Sequence, residues 1–237
     1  MSSRRVFLRN ICVAAAGASS VRSLHAASSM SSAGSRATRG VAGLRFGSSV
    51  PVVETASGSV RGYIRNGVHT FKGIPYGAPT SGSSRFLPPK KPGAWKDVFN
   101  AVAYGYACQQ KHGDDWHDPL SHFVLNFENG MMSENCLNLN VWTQALDKTH
   151  RPVLVWIHGG GYQNGSSFEM LPYDGENITR RGDIVFVSVN HRLNALGFLD
   201  LSSAGGDDFR FSANAGMLDL VAALEWVRDN IEQFFGG

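Results

Sequence analysis

The chain has 237 residues, 43% of them hydrophobic and 17% charged, with a formal net charge of +3. Apolar content this high supports a packed core and excludes a wholly disordered chain, and no run of 18 apolar residues is present to span a bilayer. Three cysteines are too few for a disulfide-dense scaffold.

The positive charge sits at one end. Residues 1–27 contain Arg4, Arg5, Arg9 and Arg22 and no acid, so without them the net charge moves from +3 to −1. The remainder has no cationic excess with which to hold nucleic acid, and no such partner is expected. A basic head, a short apolar stretch over Ile11–Ala18 and small residues after it are the parts of an export signal. Ser3-Arg4-Arg5-Val6-Phe7-Leu8-Arg9 resembles the twin-arginine signal of folded bacterial exports. It implies the twin-arginine export machinery as a partner, a periplasmic or secreted location and no membrane anchor; an Arg-rich organellar presequence is the alternative. Residues 28–50, rich in Ser, Ala and Gly, read as a flexible linker. Cys12 falls in the signal, which leaves Cys108 and Cys136 as an even pair able to close a loop in an oxidising compartment; two separate buried thiols are the alternative.

From residue 51 the pattern changes. Val52–Thr55 and Ser59–Tyr63 around Ala56-Ser57-Gly58 predict an antiparallel hairpin, and Val68–Phe71 a third short strand ended by Gly73–Gly77. Residues 79–92 are rich in proline and read as loop. Leu137–Trp142 alternates apolar and polar, as a half-buried strand does. Val153–Ile157 and Ile184–Val189 are continuous apolar runs, expected as central parallel strands buried on both faces, with a short crossover helix within Tyr173–Arg181. Met217, Leu220, Val221, Leu224, Val227 and Ile231 predict one apolar stripe along a helix over Met217–Gln233, with Arg228 and Glu232 paired on its outer face. Strands followed by strand–helix–strand give a mixed α/β fold.

The run ending at Ile157 leads directly into His158-Gly159-Gly160-Gly161-Tyr162. Glycines at the C-terminal end of a buried strand let bare N–H groups approach a ligand. Two such donors aimed at one point stabilise the oxyanion formed when an ester carbonyl is attacked, each worth about 3–4 kcal/mol in the transition state. A phosphate loop would want Lys-Ser/Thr or an immediate helix, and Tyr162-Gln163-Asn164-Gly165 supplies neither.

Further segments follow in a recognisable order: Phe71-Lys72-Gly73-Ile74-Pro75-Tyr76-Gly77, Arg85-Phe86, Ser133 to Trp142, Trp156 to Tyr162, Asn190 to Leu199, and Asn214 to Gly237. Together they cover about residues 51–237, and on them the chain resembles the type-B carboxylesterase and cholinesterase family. The resemblance implies the N-terminal part of an α/β-hydrolase fold: a small antiparallel sheet, then the first strands of a mixed, mostly parallel central sheet. It implies hydrolysis of a small carboxylic ester through an acyl-serine, with no cofactor and no metal. Gly160 and Gly161 would be the oxyanion donors, with His158, Gly159 and Tyr162 adjacent to substrate. Cys108 and Cys136 would be a disulfide, and Arg85–Glu134 an ion pair anchoring the same loop. Several positions depart from the family pattern: Asn135, Asn138, His191, Asn194 and Leu220 replace commoner residues, His191 and Asn194 standing for Tyr and Gly. Asn126 stands where cholinesterases place a Trp, so choline esters have no support.

The nucleophile is not found. No serine is flanked as Gly-x-Ser-x-Gly, and all eight histidines precede the point where the family's elbow follows, so Ser, acid and base of a triad are absent and 51–237 reads as a truncated esterase domain, inactive alone. A non-catalytic cholinesterase-like binding module and a non-functional truncated gene product are the alternatives. His112, Asp114, Asp115, His117, Asp118 and His122 have the types of metal ligands but no recognised spacing, and read as a solvated loop.

Overall fold

The computed structural model describes residues 50–111, 130–147 and 149–237. The expected export signal at 1–27, most of the expected linker, Lys148 and the His/Asp-rich segment at 112–129 lie outside the described residues.

The hairpin forms from β1 (Val52–Thr55) and β2 (Gly58–Arg61), which pair antiparallel. Val53 and Val60 face inward and are buried, while Glu54 and Ser59 meet on the outer side. Its second strand is shorter than the sequence suggests. At Gly62 a Cβ would lie 2.3 Å from the Thr70 carbonyl oxygen, so the chain passes backbone against backbone and leaves the small sheet. Tyr63–Arg65 becomes β3 of the large sheet, and the two-residue β5 (Phe99–Asn100) joins β2 in parallel, so the small sheet is not purely antiparallel.

The large sheet has the order β3-β4-β6-β8-β7, with β4 at Val68–Pro75, β6 at Asn138–Thr143, β7 at Val153–Ile157 and β8 at Val185–Val189. The β3/β4, β4/β6 and β6/β8 pairs are antiparallel, and the parallel pairing begins at β7/β8. β4 runs through the expected stop at Gly73 because a register shift between Phe71 and Ile74 absorbs Lys72-Gly73. The crossover from β7 to β8 passes through the short helix α1 (Glu176–Gly182).

Burial reverses two expectations. β6 is buried at all six positions, although its sequence alternates. The reason is that Asn138 and Asn140 are hydrogen-bonded: the Asn138 amide donates to the carbonyls of Tyr106 and Cys136, and that of Asn140 to the Ser167 and Ser188 hydroxyls. β7, expected at the centre, is an edge strand among the described residues, and Ile157 is 43% exposed. Beside its start, Arg151 N–H donates to the Phe235 carbonyl and Gly237 N–H to the Arg151 carbonyl, a single parallel bridge.

α2 (Asn194–Phe198) follows β8, and α3 (Ala215–Asn230) packs on the sheet, ending in a 3-10 turn at Ile231–Phe234. Leu220, Ala223, Trp226, Val227, Ile231 and Phe234 join Val53, Val60 and Phe71 in the core, with Phe71 and Phe234 edge-to-face at 5.0 Å. Only part of the expected stripe is inside: Met217, Val221 and Leu224 are exposed, because the face turned inward is Gly216, Asp219, Leu220 and Ala223. Arg228 pairs with Asp229 rather than Glu232.

Candidate functional site

The Gly-rich turn leaves β7 at its C-terminal end and is exposed from Gly159 to Gln163. Gly160 adopts φ +111 and Gly161 φ +61, and Tyr162 remains in the left-handed region at φ +62. A Cβ at Gly160 would stand 2.0 Å from the Asn164 carbonyl oxygen, and one at Gly165 2.5 Å from that of Gly159. Gly160 and Gly165 are therefore demanded by a backbone folded onto itself, and Gly161 by its left-handed φ. Gly160 accepts hydrogen bonds from the N–H groups of Gln163 and Asn164, which closes the turn. The N–H groups of Gly160 and Gly161 donate to no partner among the described residues, so both can donate to a ligand oxygen.

Three polar residues hold this turn and the loop that follows it. Gln110 bonds both sides of the Gly165 peptide unit, accepting from its N–H at 2.6 Å and donating to its carbonyl at 2.8 Å. Asn190 accepts from the Ser167 N–H at 2.7 Å and is itself held by Tyr106 and Asn138. The Asn194 N–H donates to the Tyr162 carbonyl at 2.7 Å, and its side chain to Gln109. These residues are missed by motif reading, since an isolated Gln or Asn carries no recognisable spacing.

His158 lies beneath the turn, buried, with Nδ1 2.8 Å from the Gly159 carbonyl, an acceptor that assigns the proton to Nδ1. Its ring stacks on His191 at 4.9 Å. Burial, then the neighbouring His191, pushes the His158 pKa down to about 4. Burial also lowers that of His191. Both imidazoles are neutral near pH 7, and His158 is tied to the turn through the Gly159 carbonyl. Tyr162 is exposed and packs near Phe198 at 5.2 Å.

The family model described as "Carboxylesterase family" matches residues 49–237. The chain belongs to the carboxylesterase family. It is 42% identical to the para-nitrobenzyl esterase of Bacillus subtilis over 78% of this chain and 36% of the relative. To the acetylcholinesterase of Electrophorus electricus it is also 42% identical, over 73% of this chain and 26% of the relative. Among solved structures it is similar to an esterase of Clostridium hathewayi described as hydrolysing aliphatic aromatic polyesters, with a TM-score of 0.72 and 46% identity over 80% of this chain and 36% of that one. The carboxylesterase of Geobacillus stearothermophilus gives a TM-score of 0.67 at 42% identity, over 78% of this chain and 35% of that one. The fold is thus the N-terminal portion of the carboxylesterase α/β-hydrolase fold, and the chain spans about a third of the length of these relatives.

The residues singled out beside the turn have local roles. Asn194 adopts φ +45, a left-handed conformation that Asn tolerates better than other side chains. His191 supplies the stacked partner of His158. Asn135 accepts from the N–H groups of Thr80 and Ser81. Arg85 and Glu134 meet through two hydrogen bonds, Nε to Oε2 at 2.7 Å and Nη2 to Oε1 at 2.6 Å, joining the Pro-rich loop to the segment before Cys136. Because Arg85 is nearly half exposed, solvent screens the pair and it anchors the loop with little effect on stability. Cys108 and Cys136, the pair that the resemblance implies as a disulfide, stand together as buried thiols. They hydrogen-bond to each other, and that contact and burial hold the Cys136 thiol protonated, while Cys108 Sγ accepts the Leu193 N–H at 3.2 Å. Among the described residues no three His, Cys, Asp or Glu side chains are grouped to hold a metal, and no helix is long and apolar enough to cross a membrane.

Proposed function

We propose that this chain is the oxyanion-binding portion of a carboxylic ester hydrolase of the acyl-serine type, acting on small carboxylic esters without a cofactor. The observation that carries the reading is the pair of N–H groups on Gly160 and Gly161, without acceptors in the described structure, on a turn shared with a family of esterases. In the reaction these donors receive the charge that develops on the carbonyl oxygen as a serine attacks. No Gly-x-Ser-x-Gly nucleophile is present among these 237 residues, and the family order Ser, acid, His sets the acid and base after it. The chain alone is therefore inactive. Assay of the 237-residue chain with p-nitrophenyl acetate, against a Gly160→Ala/Gly161→Ala control, is expected to give identical rates; turnover above the control overturns the reading.

Export through the twin-arginine machinery to the periplasm belongs to the same proposal, supported by Arg4-Arg5 ahead of Val6-Phe7-Leu8. There an external oxidant could take two electrons and two protons from Cys108 and Cys136 and link them. Replacing Arg4 and Arg5 by Lys should hold the chain in the cytoplasm, and undiminished export of that variant would refute the signal.

A further inference from the structure

The loop that carries the turn runs on through Phe168–Asp174 and there lines a cavity of about 450 Å³. Its walls include Tyr104, Phe168, Met170 and Leu171, together with the acidic residues Glu169 and Asp174. Tyr104 and Phe168 are stacked with ring centroids 4.6 Å apart. The volume suits a small organic molecule, and the lining combines aromatic and aliphatic surface with acid groups.

The two acids are not equivalent. Asp174 takes Arg65 Nη2 at 2.8 Å and Lys72 Nζ at 3.5 Å, and Arg65 also holds Glu176. The Lys72 ammonium rests 3.8 Å from the Tyr104 ring centroid. Two cations and two carboxylates balance in that cluster. Glu169 has no counterpart: it is only 9% exposed and forms no ion pair among the described residues. Its support is a backbone hydrogen bond at Ser166, which does not offset burial, and its pKa is pushed up to about 7. A buried carboxylate with no cation is costly, and an arriving cation removes that cost.

We propose that this cavity binds a small organic cation, a primary ammonium on an apolar or aromatic body, with Glu169 as counter-ion and Tyr104, Phe168, Met170 and Leu171 enclosing the apolar part. Binding involves neither Gly160 nor Gly161 and does not depend on ester hydrolysis by this chain. The ionisable groups around Glu169 are Asp174 and Tyr104 on the cavity wall and Tyr173 beside it, with Lys72 and Arg65 behind Asp174.

The test titrates the 237-residue chain with benzylamine and, separately, with benzyl alcohol, following binding by calorimetry and NMR. Near pH 8 benzylamine should bind about tenfold or more tightly than benzyl alcohol, and this preference should shrink near pH 6 as Glu169 takes up a proton. Glu169→Gln should abolish both the preference and its pH dependence while raising the melting temperature near pH 8, because it removes a buried charge. Equal affinity for the two probes in the unaltered chain overturns the proposal without recourse to any variant. So does failure of benzylamine to bind at about 10 mM, or a preference that survives Glu169→Gln.

Discussion

Two neutral imidazoles stacked beneath a backbone turn make the site's structure sensitive to acid. His158 and His191 both take up a proton less readily in the folded chain than at the ordinary value of 6.5, His158 only at about 4, because burial disfavours the charged ring. Between those values the unfolded chain binds more protons, so these residues contribute stability above about 6.5 that is lost as pH falls toward 4. Glu169 works in the opposite sense: its raised pKa favours the folded state below 4.5, and that contribution is lost as pH rises through about 7. Replacing His191 by Tyr removes one buried imidazole and, with it, the neighbour that helps hold His158 neutral. The variant should therefore lose less stability than the original chain between pH 7 and pH 5. Thermal unfolding at the two pH values measures this, and an unchanged drop would contradict the assigned burial. The glycines of the turn were legible from sequence, since three in a row after an apolar strand have few other uses. The groups that hold the turn, Gln110 and Asn190, were not, because they come from segments 55 and 23 residues away from the backbone they bind.

At the scale of elements, local pattern predicted the strands well and their placement less well. β6 alternates and is wholly buried, whereas β7 is continuously apolar and sits at an edge. Burial depends on sheet order, which is a long-range property that alternation does not encode. The same limit applies to α3, where counting only apolar residues missed the acid on the inner face. Asp219 is fully buried and forms a two-point pair with Arg192, Nε to Oδ2 at 2.8 Å and Nη2 to Oδ1 at 2.7 Å. It also accepts the Arg192 N–H, while Arg192 Nη1 donates to the Leu87 carbonyl. This joint locks the segment after β8 to α3 and so supports Asn190, His191 and Asn194 around the turn. Asp219→Asn leaves a buried guanidinium without its counter-ion and should cost about 3–5 kcal/mol. The double change Arg192→Met/Asp219→Leu should cost less than the single one. Urea unfolding midpoints measure both, and a single-variant loss below about 1 kcal/mol would remove the joint from the account.

For the molecule as a whole, the Gly-rich turn stands at the end of β7, an edge strand among the described residues. The chain covers about a third of the esterases it resembles, and β7 offers its exposed Leu154 and Ile157 beside the bridge between Arg151 and Gly236. We propose that Gly160 and Gly161 supply part of an oxyanion hole, which a serine outside these residues and the N–H that follows it complete. This central claim is tested most directly by joining these 237 residues to the remainder of the Bacillus subtilis para-nitrobenzyl esterase, the part this chain does not match, and measuring kcat for p-nitrophenyl acetate. The account predicts that the chimera hydrolyses the ester, and that Gly160→Ala, whose Cβ would meet the Asn164 carbonyl, lowers kcat by about 10²–10³-fold with the fold intact by circular dichroism. An active chimera whose kcat is unchanged by Gly160→Ala would contradict it.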